Sequence, residues 1–334
     1  MTLIASHITA FLRERLPVER MASPNTCDAY AYAFQLLFEF AGKRLSVSPS
    51  NLCLEHLDAP LVLAFLAHLE NERGCCPSSR NTRLAAIKSF FGYVQYRVPA
   101  TLEQVRSILA IPIKKTQSRL VNYLSVAEMK SLLDVPDPTT RDGIRDRGML
   151  YLAFTAGLRV SELVNLRLAD VSFQPTPSIL VRGKGRKERQ LPFWKETAVA
   201  LRAWLAVRGE MLVPELFVNR CGLPLTRSGF EYILEKHVDK AAEKCSSLAK
   251  KRVSPHVLRH TCAMNVLQAT KDLRRVSLWL GHERMQTTEV YLRADPTEKL
   301  ETIESMTQPP LRRGSFRPVD KLIASLKRPQ NMRS

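Results

Sequence analysis

The chain has 334 residues, of which 45% are apolar, and a formal net charge of +18 at pH 7. Single domains average roughly 100–200 residues, so this length predicts two domains, each with its own core. The charge predicts a polyanionic partner, and most of it follows residue 118, where 37 Lys and Arg stand against 23 Asp and Glu. No apolar run reaches the roughly 18 residues of a spanning helix, and no signal peptide opens the chain, which excludes a membrane protein.

Cysteines are scattered along the chain, and their number, seven, is odd. Only Cys75 and Cys76 are close, and adjacent residues make poor zinc ligands on their own. This pattern indicates reduced thiols in a cytoplasmic protein, with no zinc site.

The first part of the chain is predicted to be helical. Ile4, Ile8, Phe11 and Leu12 share one helical face, and Asp58-Ala59-Pro60 is typical of a helix start. Another amphipathic helix is predicted over residues 78–93, with three cations facing mostly outward: Arg80, Arg83 and Lys88. A solvated face explains any one of them, but as a group in a basic protein we expect them to contact phosphates.

The second part mixes helices with a short sheet. Ser125 and Glu128 form a capping box, and residues 149–155 form a buried helix that ends at Ala156-Gly157. Residues 178–182 and 189–193 are predicted strands joined by a hairpin turn at 183–187. Ser254 is a predicted N-cap before Pro255, and Gly281 ends a helix that starts at Asp272. The glycines around Lys184 lack the spacing of a P-loop, so no nucleotide or other cofactor is implied.

Four short pieces of the second part carry candidate chemistry: AGLRVSEL with Arg159, RGKGRKER with Lys184, SPHVLRHT with His256 and Arg259, and LGHERMQTTEVY with His282 and Tyr291. Breaking a DNA phosphodiester without a metal needs a nucleophile, cations that neutralise the charge on five-coordinate phosphorus, and an acid for the departing oxygen. Arginine suits the second task because its planar fork grips two phosphate oxygens. His256 and Arg259 lie one helical turn apart at a helix start, where free N–H groups also attract anions.

Taken together, the four pieces resemble the tyrosine recombinases, the family of phage integrases and Xer-type recombinases. The resemblance implies that Tyr291 is the nucleophile and forms a 3′-phosphotyrosyl ester, which a second DNA end attacks without ATP. Arg159, His256, Arg259 and His282 would surround the phosphate. Lys184 would protonate the 5′ oxygen, with Lys187 as the alternative, and Glu162 would orient Arg159, unless it is a plain helix N-terminal glutamate. His260 is kept outside the catalytic set as a structural hydrogen-bonding residue.

The resemblance also implies the architecture: a mainly α chain with a small β-sheet in the second domain. A helical SAM-like core-binding domain would span 1–112, a linker 113–121, a mixed α/β catalytic domain 122–306 and a basic tail with a short helix 307–334. The two domains would clamp double-stranded DNA that carries paired half-sites. The protein would act as a homo-tetramer, alone or with partner recombinases, in the bacterial cytoplasm at the nucleoid. The apolar stripe Val319, Leu322, Ile323 and Leu326 either docks on a neighbouring subunit or folds back on its own domain.

Two departures from the Xer pattern favour a mobile-element integrase or transposase: Leu292-Arg293 replaces the usual Thr-His after the tyrosine, and the tail beyond Tyr291 is long. Two other functions remain open at this point. One is a DNA-binding accessory protein that kept the fold and lost the chemistry, and the other is a type IB topoisomerase that relaxes supercoils.

Overall fold

The computed structural model describes residues 2–116, 120–183 and 188–294. The chain divides into two compact units, Met1–Ser118 and Arg119–Ser334. This division lies within the predicted 113–121 linker, while the exact domain bounds stay a prediction. The basic tail with its predicted short helix and apolar stripe lies outside the described residues. No helix among the described residues is long and apolar enough to cross a membrane.

The first unit is a bundle of helices around an aromatic core. Its α-helices are α1 Ile4–Ala10, which continues as a π-helical segment Phe11–Glu19, then α2 Pro24–Leu45, α3 Ala59–Asn71, α4 Pro77–Val94 and α5 Leu102–Leu109. Phe11, Phe34 and Phe90 pack edge to face, with ring centroids 5.3–6.2 Å apart. The predicted start of α3 is confirmed, since Asp58 Oδ1 accepts a 2.8 Å hydrogen bond from the Leu61 N–H.

The second unit combines helices with one small sheet. Its helices are α6 Val126–Leu133, α7 Arg141–Ala156, α8 Val160–Val164, α9 Lys195–Arg208, α10 Arg227–Lys244, α11 Pro255–Thr270, α12 Leu273–Leu280 and α13 Glu289–Ala294. The strands β1 Val171–Ser172, β2 Ser178–Arg182 and β3 Glu188–Pro192 form an antiparallel sheet in the order β1-β2-β3. The predicted fold class, mainly α with a small sheet in the second domain, is confirmed.

Several local predictions in the second unit are confirmed. The Ser125 N–H donates to Glu128 Oε2 at 2.8 Å, and the Glu128 N–H donates to Ser125 Oγ at 3.2 Å, as in a capping box. Gly157 and Gly281 end α7 and α12 in the left-handed conformation, with φ of +58° and +65°. The buried helix predicted over 149–155 is longer, because it begins after Thr140, whose hydroxyl caps the Gly143 N–H.

One prediction of local structure is confirmed in part, and another is wrong. Helix α11 begins at Pro255 with Ser254 at the N-cap position, as predicted, but the Ser254 hydroxyl makes no capping hydrogen bond. Arg80 does not face outward: it is 4% exposed, and its Nη1 donates to the carbonyl of Pro112 at 3.0 Å. The segment around Pro112 of the same chain packs over this part of α4. Helical periodicity does not include such a contact and therefore assigned Arg80 to the wrong environment.

Candidate active site

Arg259 joins the ends of two helices in the second unit. Its Nη1 donates to the Gly157 carbonyl at 2.6 Å, and its Nη2 donates to the Leu280 carbonyl at 2.7 Å. These carbonyls lie at the C-terminal ends of α7 and α12, where a helix presents partial negative charge. The side chain is buried, and burial, then the charge of Arg159, lowers its pKa to about 10. Arg259 therefore remains a cation at neutral pH.

The carboxylate of Glu162 forms ion pairs with three guanidinium groups. They belong to Arg159, Arg189 and Arg259, which we call the arginine cluster. Glu162 Oε1 accepts from Arg159 Nη1 at 2.9 Å, and its Oε2 lies 3.9 Å from Arg259 Nη1. The carboxylate also caps the Arg159 N–H at 2.9 Å. Burial opposes the charge of Glu162, but the Arg189 hydrogen bonds and the neighbouring cations leave its pKa below the usual range. Both roles considered for Glu162 are therefore present: it pairs with the Arg159 side chain and caps the first turn of α8.

Arg189 belongs to this cluster, and sequence reasoning missed it. Its Nη1 and Nη2 grip Glu162 at 3.1 and 2.8 Å, and its Nε donates to the Trp279 carbonyl at 3.1 Å. One signal was available: the two-residue period of β3 puts Arg189 on the face of buried Leu191. The residue joins the sheet to α8 and to the last turn of α12.

His282 follows directly on Gly281 and faces a cleft of about 410 Å³. Arg159 and Arg189 also line this cleft. His282 Nδ1 lies 2.8 Å from Thr288 Oγ1. Burial, then the charges of Arg259 and Arg159, lowers the pKa of His282 to about 4, so the ring is neutral at physiological pH.

His256 is exposed in the first turn of α11, one turn before Arg259. Although part of the ring is open to solvent, the surrounding protein partly desolvates it, which lowers the pKa of His256, and the charges of Arg227 and Arg259 add to the effect. The spacing of three residues on one helix accounts for this proximity, as the sequence predicted.

Tyr291 lies on α13 and is 2% exposed. Its hydroxyl oxygen is 3.0 Å from His260 Nδ1, and its ring stacks on that of His282 with an interplanar angle of 7°. Burial raises the pKa of Tyr291 to about 12, although the charges of Arg259 and Arg159 oppose that rise. The phenol is therefore protonated in the free protein.

The fold thus gathers the predicted residues Arg159, Arg259, His282 and Tyr291, with His256 on the helix that carries Arg259. Lys184 and Lys187 lie outside the described residues. In the residues that the structure does describe, no group of three or more His, Cys, Asp or Glu is arranged to hold a metal ion.

Three residues of the first unit are predicted DNA contacts. Arg80 is buried, as described above. Arg83 is half-buried, with its guanidinium 4.9 Å from the centre of the Tyr32 ring, and Lys88 Nζ donates to the Leu109 carbonyl at 2.6 Å. Their contact with phosphates stays a prediction.

Comparison with known proteins gives consistent matches along the chain. The phage integrase family signature matches residues 122–298, and that of the phage integrase N-terminal SAM-like domain matches 8–97. "Putative integrase/recombinase y4rC" of Sinorhizobium fredii is 43% identical over 97% of both chains. Tyrosine recombinase XerC of Pelotomaculum thermopropionicum is 33% identical over 85% of this chain and 92% of its own.

Solved structures share the fold. XerH site-specific recombinase, in a post-cleavage complex with palindromic difH substrate, has a TM-score of 0.67 at 23% identity, over 86% of this chain and 81% of its own. The Tn1549 transposon integrase with circular intermediate DNA has a TM-score of 0.67 at 16% identity, over 92% and 100%. From the matched signatures and relatives together, the chain belongs to the phage integrase family of tyrosine recombinases.

Proposed function

We propose that this protein is a site-specific DNA recombinase of the mobile-element type, which cleaves and rejoins DNA through a 3′-phosphotyrosyl intermediate on Tyr291. The observation that carries the proposal is the environment of Tyr291: its hydroxyl is hydrogen-bonded to His260, its ring stacks on that of His282, and the charges of Arg259 and Arg159 act on it. A phenol is a weak nucleophile at neutral pH because its pKa is near or above 10. The cations lower the free energy of the transition state by neutralising the charge that develops on the phosphoryl oxygens.

The remaining groups divide the work of the reaction. Arg159 and Arg259 bind the non-bridging oxygens, and Glu162 keeps Arg159 aimed. His282 Nδ1 is hydrogen-bonded to Thr288 Oγ1, and in the proposed tautomer Nδ1 accepts while Nε2–H donates to the phosphate. His256 donates from the helix N-terminus. Lys184, assigned by resemblance alone, protonates the departing 5′ oxygen.

The proposed substrate is double-stranded DNA with paired half-sites, bound by four copies of the chain. The net charge of +18 supports a polyanionic partner, since phosphate contacts dominate the affinity of DNA-binding proteins. XerH on its palindromic substrate supports the half-sites, and the Tn1549 integrase supports the mobile-element role. Such a protein works in the compartment that contains the DNA, the bacterial cytoplasm. Arg83 and Lys88 are the proposed phosphate contacts of the first unit; Arg80, being buried, acts through its neighbours.

A trapping assay tests this function. Nicked duplexes tiled across the DNA that flanks the gene are incubated with the protein, and covalent adducts are resolved on denaturing gels. The wild type is expected to form an adduct on one tile, and Tyr291→Phe none. Arg159→Ala should bind that tile nearly normally but cleave at least about 100-fold more slowly, because one phosphate contact among many is lost while transition-state charge is unmatched.

Other outcomes identify the two alternatives. Tight binding of one tile without any adduct would indicate an accessory DNA-binding protein. Relaxation of plasmids that lack the site would indicate a topoisomerase. Equal loss of binding and cleavage in Arg159→Ala would contradict the role given to that residue.

A further inference from the structure

The hydroxyl of Tyr291 has a partner that the proposed catalytic set does not include. His260 Nδ1 lies 3.0 Å from the tyrosine oxygen, and the two rings meet at 62° with centroids 5.6 Å apart. His260 lies on α11, directly after Arg259, and α11 packs against α13, which carries the tyrosine. The proposed nucleophile is therefore hydrogen-bonded to a titratable side chain.

Both partners in this hydrogen bond are neutral at pH 7. Burial, then the charges of His256 and Arg259, lowers the pKa of His260 to about 4, so its imidazole is neutral at pH 7. Burial keeps the phenol protonated, with a pKa of about 12. A neutral imidazole carries its proton on Nδ1 or on Nε2. We assign the tautomer with the proton on Nε2, because it lets the buried phenol donate its O–H to Nδ1, the partner that lies 3.0 Å away. His260 is ready to receive the phenolic proton.

We infer that His260 is a catalytic residue, the general base that takes the Tyr291 proton during DNA cleavage. The inference rests on the proposed function. As the tyrosine oxygen forms its bond to phosphorus, the O–H bond breaks and its proton moves to Nδ1, which gives an imidazolium. The phosphorus–O5′ bond breaks in the same displacement, and the 5′ oxygen takes a proton from the acid. In ligation the phenolate leaves phosphorus and recovers its proton from His260.

The charges around His260 explain why transfer waits for DNA. His256 and Arg259 share its helix, and Tyr291 and His282 face it from α13 and the end of α12. In the free protein this cationic surrounding disfavours an imidazolium. A bound phosphodiester brings negative charge to the arginines, which raises the proton affinity of His260, and bond formation to phosphorus acidifies the phenol. The proton then moves only when the scissile phosphate is present.

A structural role for the same contact gives a different expectation. A buried tyrosine hydroxyl needs a hydrogen-bond partner, and His260 could serve only as that partner. His260→Asn separates the two roles, because its amide oxygen stands close to the position of Nδ1 and accepts a hydrogen bond but cannot take up the proton. His260→Ala removes both functions.

The test is single-turnover cleavage of a nicked duplex on which the wild type forms its adduct, at saturating protein and across pH. His260→Asn is expected to bind and fold as the wild type does, to cleave about 100-fold more slowly, and to lose the rise of rate with pH that deprotonation of a base produces. A fluorinated tyrosine at 291, whose phenol is more acidic, should restore much of the rate in His260→Asn. A substrate with sulfur at the bridging 5′ position should not, because it relieves only the need for the acid.

The opposite results overturn the inference. Cleavage by His260→Asn within about 3-fold of wild type, with the same pH profile, would leave His260 a structural partner. Rescue by the sulfur substrate, without rescue by fluorinated tyrosine, would move His260 to the leaving-group side. The proposed function itself would be rejected if the wild type formed no covalent adduct, or if Tyr291→Phe still formed one.

Discussion

Replacing Arg189 by methionine should destabilise the second unit, because it removes most of the compensation for a buried carboxylate. The side chain donates twice to Glu162 and once to the Trp279 carbonyl, and it is only 12% exposed. Breaking a buried ion pair from one side costs about 3–5 kcal/mol. Glu162 keeps its contact with Arg159, which is 35% exposed, so we expect a smaller loss, about 2–3 kcal/mol at pH 7. For a domain of this size, that lowers Tm by about 4–12 °C.

Tryptophan fluorescence measures this loss in the second unit alone, because Trp194, Trp204 and Trp279 are the only tryptophans of the chain. Arg189→Lys keeps the charge but not the two-pronged grip, so its stability should fall between those of the wild type and the methionine variant. Arg227→Met is the matched control. Its ion pair with Glu231 is solvent-exposed, and its loss should cost at most about 1 kcal/mol.

The pH dependence gives a second check on the same contact. The folded pKa of Glu162 lies below its unfolded value, so its ion pairs contribute stability above about pH 4.5 and lose it as pH falls through the folded pKa. The difference between wild type and Arg189→Met should therefore be largest near neutral pH and shrink in acid. A difference below about 0.5 kcal/mol at pH 7, or one that is the same at pH 3, would refute this account.

Two further changes test other contacts of the second unit by the same fluorescence measurement. Glu128→Gln should cost about 2 kcal/mol at pH 7, because it weakens the capping box and the 2.7 Å bond from Lys251. Those contacts hold the pKa of Glu128 at about 2, so the difference should fade between about pH 4.5 and 2; a constant difference would contradict it. Gly157→Ala should cost about 2–4 kcal/mol, since φ is +58° and an added Cβ would lie 2.9 Å from Cys262 Sγ. Gly148→Ala, on the same helix with ordinary 3.6 Å contacts, should be nearly neutral, and equal losses in both would reject the steric argument.

The helix ends could be predicted from the sequence. Asp58, Ser125 with Glu128, Gly157 and Gly281 mark helix ends as predicted, because each acts on backbone groups within a few positions. The four motifs also indicated the family, and they contain Arg159 and Arg259, whose charges act on the tyrosine.

The burial of individual side chains and their hydrogen-bond partners could not be predicted in this way. The periodicity of α4 placed Arg80 outside, and its cover comes from Pro112, 32 positions later. Ser254 had the right residue type for a cap, yet its hydroxyl does not bond to the helix that follows. Both cases concern the orientation and burial of a side chain, which the local pattern of residue types does not determine.

The sequence by itself determined the residue types of the site, their order and the helix ends that carry them. Only the tertiary structure decided which side chains form hydrogen bonds with each other. Arg259 bonds to the Gly157 carbonyl, 102 residues away in the chain, Arg189 to the Trp279 carbonyl, 90 residues away, and His260 to Tyr291, 31 residues away. Caps are encoded by neighbours in the chain, whereas these contacts depend on how helices and strands pack. Their strength also depends on burial, which exists only after packing has removed the water.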